Sequence, residues 1–104
     1  PAQQVANLAA SFQQAVVDCL VGKALLALRR TGLRRLCVGG GVAANRALRQ
    51  ELAEAVLQVG AELHVAPPEL CTDNAVMGAI AVERLQAHAI ESLDLDIHPG
   101  LVRP

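Results

Sequence analysis

The sequence predicts an α/β fold in which helices and short parallel strands alternate in the order α-β-α-β-α. Two observations predict it: two brief apolar runs of strand length, and three longer stretches whose apolar residues recur at helical spacing. Strands that are separated by helices pair in parallel through right-handed crossovers. Because ligands of such sheets bind beyond the carboxyl ends of the strands, the segments that follow each strand are the places to search for function.

The first element is a long amphipathic helix over about residues 3–30. Thr31-Gly32 ends the helix, and two arginines in its last turn lie where the helix dipole favours cations. The apolar residues that define its buried face are Val5, Leu8, Ala9, Phe12, Val16, Cys19, Leu20 and Leu26.

The two predicted strands cover residues 33–38 and 62–66, and a helix over about residues 43–59 connects them. The first strand is apolar enough to be buried and leads directly into three glycines. The second strand ends at Pro67-Pro68, because proline cannot donate to a strand ladder.

A third helix is expected over about residues 75–89, followed by an irregular tail. We therefore assign residues 1–91 to one α/β segment and residues 92–104 to the tail. With 104 residues the chain is at most one domain. It opens on Pro1-Ala2 without a methionine, and we expect it to be a piece of a longer protein.

The composition excludes several classes of function. A net charge of −1 gives no broad basic surface for nucleic acid, and a single Phe with no Trp or Tyr gives no platform for base stacking. Three widely spaced cysteines and no secretory signal indicate a reduced, cytoplasmic setting. Two of them, Cys19 and Cys37, are expected in the core. No uninterrupted apolar run reaches the ~18 residues of a membrane span, so no membrane partner is expected.

The segment after the first strand, Gly39-Gly40-Gly41, precedes the second helix directly. Glycines permit positive φ and close approach of a ligand, and a helix start offers unpaired N–H groups to a phosphate. The pattern is neither G-x-G-x-x-G nor a P-loop, so a tight turn without a ligand is an open alternative. Asn45 either caps the helix or contacts a ribose or base edge. Arg46, like Arg49, is expected to be solvated, or else to meet an anionic ligand.

The segment after the second strand leads through Cys71 and Thr72 to Asp73 and Asn74, at the start of the third helix. Asp73 either caps that helix or acts as a metal ligand or phosphate-site acid, oriented by Asn74. One carboxylate makes no metal site by itself, and none of the three histidines has a partner four residues away. Cys71 has no base beside it, so we assign it no nucleophilic role. The three histidines are His64, His88 and His98.

Three stretches together resemble one family. They are residues 10–18 (ASFQQAVVD), 39–49 (GGGVAANRALR) and 67–77 (PPELCTDNAVM). In this order and spacing they are similar to the C-terminal part of the TsaD family, the tRNA N6-adenosine threonylcarbamoyltransferases, once labelled O-sialoglycoprotein endopeptidases. The resemblance covers about residues 5–88.

The resemblance implies the actin-like ATPase fold, in which two α/β lobes enclose a nucleotide cleft, with this chain as a piece of the C-terminal lobe. It also implies a reaction. The threonylcarbamoyl group would pass from threonylcarbamoyl-adenylate to N6 of the adenosine beside the anticodon, in tRNAs that read codons starting with A, with release of AMP. Companion proteins, TsaB and TsaE in bacteria, are implied as partners.

By motif, the resemblance makes Asn45 the residue that contacts the adenylate, with Gly40 and Gly41 lining the nucleotide. It makes Asp73 a ligand of one divalent metal ion, iron in the first place and zinc as the alternative. The family's other metal ligands come from an H-x-x-x-H motif, and this chain has no such spacing. We therefore expect the chain to supply one wall of the site and to be inactive alone, and we assign no catalytic residue.

Two other functions stay open at this stage. An actin-like kinase or ATPase would use the same glycine turn for an adenine nucleotide, although it does not require the sequence Cys-Thr-Asp-Asn. A non-catalytic paralogue of the same tRNA-modification pathway would share the fold, although the presence of both Asn45 and Asp73 disfavours it. An H-x-x-x-H motif elsewhere in the full protein would favour the transferase over both.

Overall fold

The computed structural model describes residues 1–96 and divides the chain into two compact units, which meet between Asp73 and Asn74 in the sequence. The predicted order α-β-α-β-α is confirmed. The first unit contains helix α1 (Ala2–Thr31), strand β1 (Arg35–Val38), helix α2 (Arg46–Gln58) and strand β2 (Glu62–Val65), and the second contains helix α3 (Ala79–Gln86).

The second and third helices begin later than the periodicity predicts. Asn45 has extended backbone angles (φ −66°, ψ 125°), so α2 cannot begin before the next residue. The residues ahead of it form a separate turn of 3-10 helix, Gly41–Ala44. A similar 3-10 turn, Ala75–Gly78, precedes α3, which ends at Gln86, three residues earlier than predicted. Helix α1 ends as expected, with Gly32 in the left-handed conformation (φ 69°) that glycine adopts readily.

The two strands form a parallel sheet, as predicted, with Leu36 opposite Leu63 and Val38 opposite Val65. Helices α1 and α2 pack on one face of it. Leu28 of α1 and Leu52 and Val56 of α2 form the buried cluster, against which the apolar residues of the strands pack. These helices therefore hold the two strands in register and fix where the strands end.

The other face of the sheet is open, which corrects the expectation that the first strand is buried. Arg35 and Glu62 lie opposite each other on it and form an exposed ion pair of 3.0 Å. Cys37 lies on the same face and is exposed, as is Cys19 on α1, so the prediction that these two cysteines belong to the core is wrong. Cys37 is exposed because both helices of the first unit cover the other side of the strands.

Helix α1 differs along its length. Its C-terminal half contributes Val21, Ala24, Leu25 and Leu28 to the core, whereas its first ten residues are all exposed. By length and composition the helix could cross a membrane, with an 18-residue stretch of mean hydropathy 1.3. The sequence-based expectation rested on uninterrupted runs and missed this. Core helices of soluble proteins meet the same criterion, so the finding does not assign α1 to a membrane.

In the second unit, none of the described residues 74–96 is buried. Arg84 on α3 donates to the carboxylate of Glu91 at 2.9 Å and to the carbonyl of Ala89 at 3.3 Å, which holds the chain that follows α3. Residues 92–96 form neither helix nor strand, as predicted for the tail. The rest of the predicted tail, with His98, lies outside the described residues.

Candidate functional site

The segments that follow the two strands begin side by side at one edge of the sheet. The N–H of Ala66 donates to the carbonyl of Val38 at 2.9 Å, which extends the ladder to the last residue of β1. A Cβ at Gly39 would lie 3.9 Å from the Cβ of Ala66. The carboxyl edge of this sheet is therefore where the glycine turn (residues 39–41) and the loop after β2 (residues 66–73) meet.

Only one glycine of the turn needs its conformational freedom. Gly40 has φ 96° and ψ 169°, and Gly39 and Gly41 do not have positive φ. The carbonyl of Gly40 accepts a hydrogen bond from the N–H of Ala43 at 3.0 Å, which forms the first 3-10 turn. Among the described residues, nothing lies within 4 Å of where a Cβ would project from Gly40 or Gly41. The turn is tight and its outer side is open to a ligand.

Asn45 is the N-cap of α2, so the capping alternative is confirmed. Its Oδ1 accepts a hydrogen bond from the N–H of Leu48 at 3.0 Å, and its Nδ2 donates to Oε1 of Gln13 on α1 at 3.0 Å. A primary amide has two donor hydrogens and two acceptor lone pairs. The side chain is therefore fixed by two contacts and retains one donor and one acceptor site for a ligand.

A cleft lies beside this cap, between α1 and the 3-10 turn with the start of α2. Its volume is about 240 Å³, and its lining is mostly apolar, with the amide groups of Gln13 and Asn45 as the polar exceptions. Val42, from the 3-10 turn, and Phe12, from α1, form two of its walls. The cleft thus places an apolar surface next to Asn45, the residue whose amide is expected to contact a ligand.

Arg49 joins the two segments, which the sequence analysis did not predict. Its guanidinium donates to the carbonyl of Ala43 at 2.5 Å, to the carbonyl of Ala66 at 2.7 Å and to Sγ of Cys71 at 3.3 Å. The expectation that Arg49 is solvated is wrong, because the side chain is half-buried between the glycine turn and the loop after β2.

Cys71 is the one buried cysteine, with 2% of its surface exposed. Its thiol donates to the carbonyl of Ala66 at 3.4 Å, and a 3-10 turn at Pro68–Leu70 leads into it. The residue anchors the loop two positions before Asp73.

Asp73 is exposed, and its carboxylate forms no hydrogen bond or ion pair within the described range 1–96. The alternative role for Asp73 was to cap the helix start, but its neighbour Asn74 does so instead. Oδ1 of Asn74 accepts a hydrogen bond from the N–H of Val76 at 3.0 Å. Asp73 is therefore available to a ligand, while Asn74 serves the chain that follows.

The donor chemistry of Asp73 fits a metal, but the donor set is incomplete. A free carboxylate is a suitable ligand for zinc or iron. No group of three or more His, Cys, Asp or Glu residues in the described part of the chain could hold a metal ion. His64 is exposed and lies 3.7 Å from the carboxylate of Glu62 instead. Any metal at Asp73 needs further ligands from outside residues 1–96.

Comparison with known proteins identifies the family of this chain. The sequence model of TsaD, tRNA N6-adenosine threonylcarbamoyltransferase, matches residues 2–80. A protein of that name from Rhodopirellula baltica is 52% identical over 106 residues, which include 93% of this chain and 30% of the relative. Proteins of the same name from Bordetella petrii and Aromatoleum aromaticum are 49% and 54% identical, over 95% and 77% of this chain.

This chain spans about 30% or less of the length of these relatives. The family has the actin-like ATPase fold, and the α/β architecture of residues 1–96 is consistent with a piece of it. Both segments at the carboxyl edge of the sheet, including Asp73, fall inside the matched residues. The chain belongs to the family of tRNA N6-adenosine threonylcarbamoyltransferases.

Proposed function

We propose that this chain is the C-terminal segment of an enzyme that transfers the threonylcarbamoyl group from threonylcarbamoyl-adenylate to N6 of the adenosine beside the anticodon, in tRNAs that read codons starting with A. In this reaction N6 forms a bond to the carbamoyl carbon and loses a proton. The bond from that carbon to the phosphate oxygen breaks, and AMP leaves. The enzyme is an acyltransferase of the cytoplasm.

The observation that supports this most directly is the junction of the two segments by Arg49. The guanidinium contacts the 3-10 turn that follows the glycines through Ala43, and the loop after β2 through Ala66 and Cys71. The residues that the family resemblance assigns to the adenylate and to the metal thus belong to segments that are bonded to one another. One ligand that carries both a nucleotide and a reactive carbonyl would need this proximity.

On the nucleotide side, Gly40 and Gly41 would line the adenylate, because the space outside their Cα atoms is open. Asn45 would contact the adenylate with the donor and the acceptor site that the helix cap and Gln13 leave unused. The role of these residues is to bind and orient the adenylate, and none of them moves a proton in the reaction.

On the other side, Asp73 would hold the divalent metal ion, with iron preferred over zinc and with the remaining ligands outside this chain. The chemistry that such a metal supplies is polarisation of the carbamoyl carbonyl and retention of the adenylate. Asp73 contributes a carboxylate with no competing partner in residues 1–96. Since the other ligands are missing here, the chain alone would be inactive, and TsaB and TsaE would act with the full protein in bacteria.

The test is transfer by the full-length protein together with these companions, supplied with threonylcarbamoyl-adenylate and an unmodified tRNA transcript. We expect modified adenosine and AMP in equal amounts, measured by nucleoside mass spectrometry and chromatography. The 104-residue chain alone is the matched control and should give neither product. No transfer by the complete assembly would favour a non-catalytic paralogue, and transfer by the isolated chain would refute the requirement for the missing ligands.

A further inference from the structure

We infer that Arg49 is a positioning residue for this reaction: its guanidinium fixes the loop that ends in Asp73 relative to the glycine turn. The inference rests on the proposed function for its effect on catalysis. Arg49 lies on the first turns of α2, so its backbone is held by the helix that Asn45 caps. The side chain therefore extends from a rigid element to two loops.

The contacts of Arg49 are made to two segments, the 3-10 turn after the glycines and the loop after β2. Ala43 lies in the 3-10 turn after the glycines, Ala66 directly follows β2, and Cys71 lies in the loop beyond Pro67-Pro68. Each contact is a hydrogen bond from a cation, which is stronger than one between neutral groups. A single planar group thus sets the separation of the two loops.

Arg49 forms no ion pair with an acidic residue in the described range, whereas Arg35 and Arg84 each do. Its recorded partners are two backbone carbonyls and a thiol. The arrangement depends on the planar fork of the guanidinium, because an ammonium group is a point charge that cannot reach three directions in one plane. Lysine at this position would keep the charge and lose the geometry.

Cys71 reports on the same loop without reference to activity. It is 2% exposed, and the hydrogen-bond partners of its thiol are Arg49 and Ala66. If Arg49 holds the loop, its replacement should expose the thiol. The rate at which Cys71 reacts with an alkylating reagent therefore reports whether the loop still covers the thiol.

The experiment uses Arg49→Lys in the full-length protein with its companions. We expect alkylation of Cys71, followed by peptide mass spectrometry, to accelerate about tenfold or more, because the buried thiol becomes accessible. We expect kcat for transfer to fall about tenfold to a hundredfold, with KM for the adenylate changed less than about threefold, because misplacement of a reacting group slows the chemical step. Arg35→Lys, at the opposite end of the same strands, should change neither quantity.

An unchanged Cys71 alkylation rate in Arg49→Lys would overturn the inference, and so would an exposed Cys71 with an unchanged kcat. If Arg49→Lys does not fold, Cys71→Ala is the second variant, since it removes the thiol contacts to Arg49 and to the carbonyl of Ala66 and leaves both hydrogen bonds from Arg49 to carbonyls in place. It should lower kcat about threefold with KM unchanged, and no change would overturn the inference. Failure of the proposed function is distinguishable, because the wild-type protein would then show no transfer while Cys71 remained protected.

Discussion

Two polar residues at the same edge of the sheet, Asn45 and Asp73, have opposite relations to the fold. The amide of Asn45 forms two hydrogen bonds, one to the start of its own helix and one to α1. The carboxylate of Asp73 forms none within residues 1–96. From the sequence both were candidates for either a cap or a ligand contact, and the structure separates them.

The contrast shows how a side chain with a structural role at a helix start can be distinguished from one that is free to bind a ligand. A capping side chain supplies about 1 kcal/mol of stability through the N–H group that it satisfies, so its replacement affects the fold as well as any ligand. An exposed carboxylate without a partner contributes no such bond, so its replacement affects only what it binds. Substitutions at Asn45 should therefore lower both the stability of the fold and ligand binding, whereas substitutions at Asp73 should lower ligand binding alone.

The largest effect is expected for Asp73→Ala in the full-length protein. On the proposed assignment it should abolish metal retention and reduce transfer at least about a hundredfold, because the metal would lose a carboxylate ligand. The melting temperature of the metal-free protein should stay unchanged, since no bond within residues 1–96 is removed. Metal content by elemental analysis and thermal melts after chelation provide the measurements.

The control is Glu69→Ala, which removes another exposed carboxylate of the same loop. It should leave both metal content and activity at wild-type values. If Asp73→Ala retained the metal at full occupancy, the assignment of Asp73 as a ligand would be wrong. A marked drop in the melting temperature of the metal-free variant would instead show that Asp73 stabilises the fold.

The next effect is expected at Asn45, where two substitutions separate the two roles. Asn45→Ala should lower the free energy of unfolding by about 1 kcal/mol, because the cap is lost. Asn45→Ser should retain most of that stability, since serine is also a strong N-cap. Both should weaken adenylate binding to a similar degree, because both remove the amide.

Urea denaturation of the full-length protein and calorimetric titration with a non-reactive adenylate analogue measure these two quantities. If Asn45→Ser bound the analogue as tightly as the wild type, Asn45 would be a cap and nothing more. Equal destabilisation by both substitutions would mean that the bond to Gln13, rather than the cap, stabilises this end of α2.

The sequence was sufficient for the elements and their order, because apolar spacing determines which residues a helix or a strand buries. It was also sufficient for parallel pairing, and hence for the meeting of the glycine turn and the loop of Asp73 at one edge. The predicted starts of the second and third helices were less accurate. The N-cap at Asn45 and the 3-10 turn before it depend on hydrogen bonds that periodicity does not report.

The sequence could not show what Arg49 contacts. Its partners are two backbone carbonyls and a thiol from residues up to 22 positions away, and no pattern in the chain marks a carbonyl as a partner. The predicted burial of Cys19 and Cys37 was wrong for a related reason. Their apolar neighbours favour burial, but Cys37 lies on the sheet face that α1 and α2 leave open, and Cys19 lies on an exposed part of α1.

The smallest effect is expected for Gln13→Ala, which removes the partner of the Asn45 amide on α1. The bond measures 3.0 Å and is exposed to solvent, so its loss should lower the free energy of unfolding by only about 0.5 kcal/mol. Gln3→Ala is the matched control, because Gln3 bonds only to Asn7 of the same helix in the described structure. Combined with Asn45→Ser in a double-mutant cycle, Gln13→Ala should show no further loss, since the amide donor is already absent. A loss from Gln13→Ala as large as that from Asn45→Ala would mean that the contact between the helices, and not the cap, holds Asn45 at the edge of the sheet.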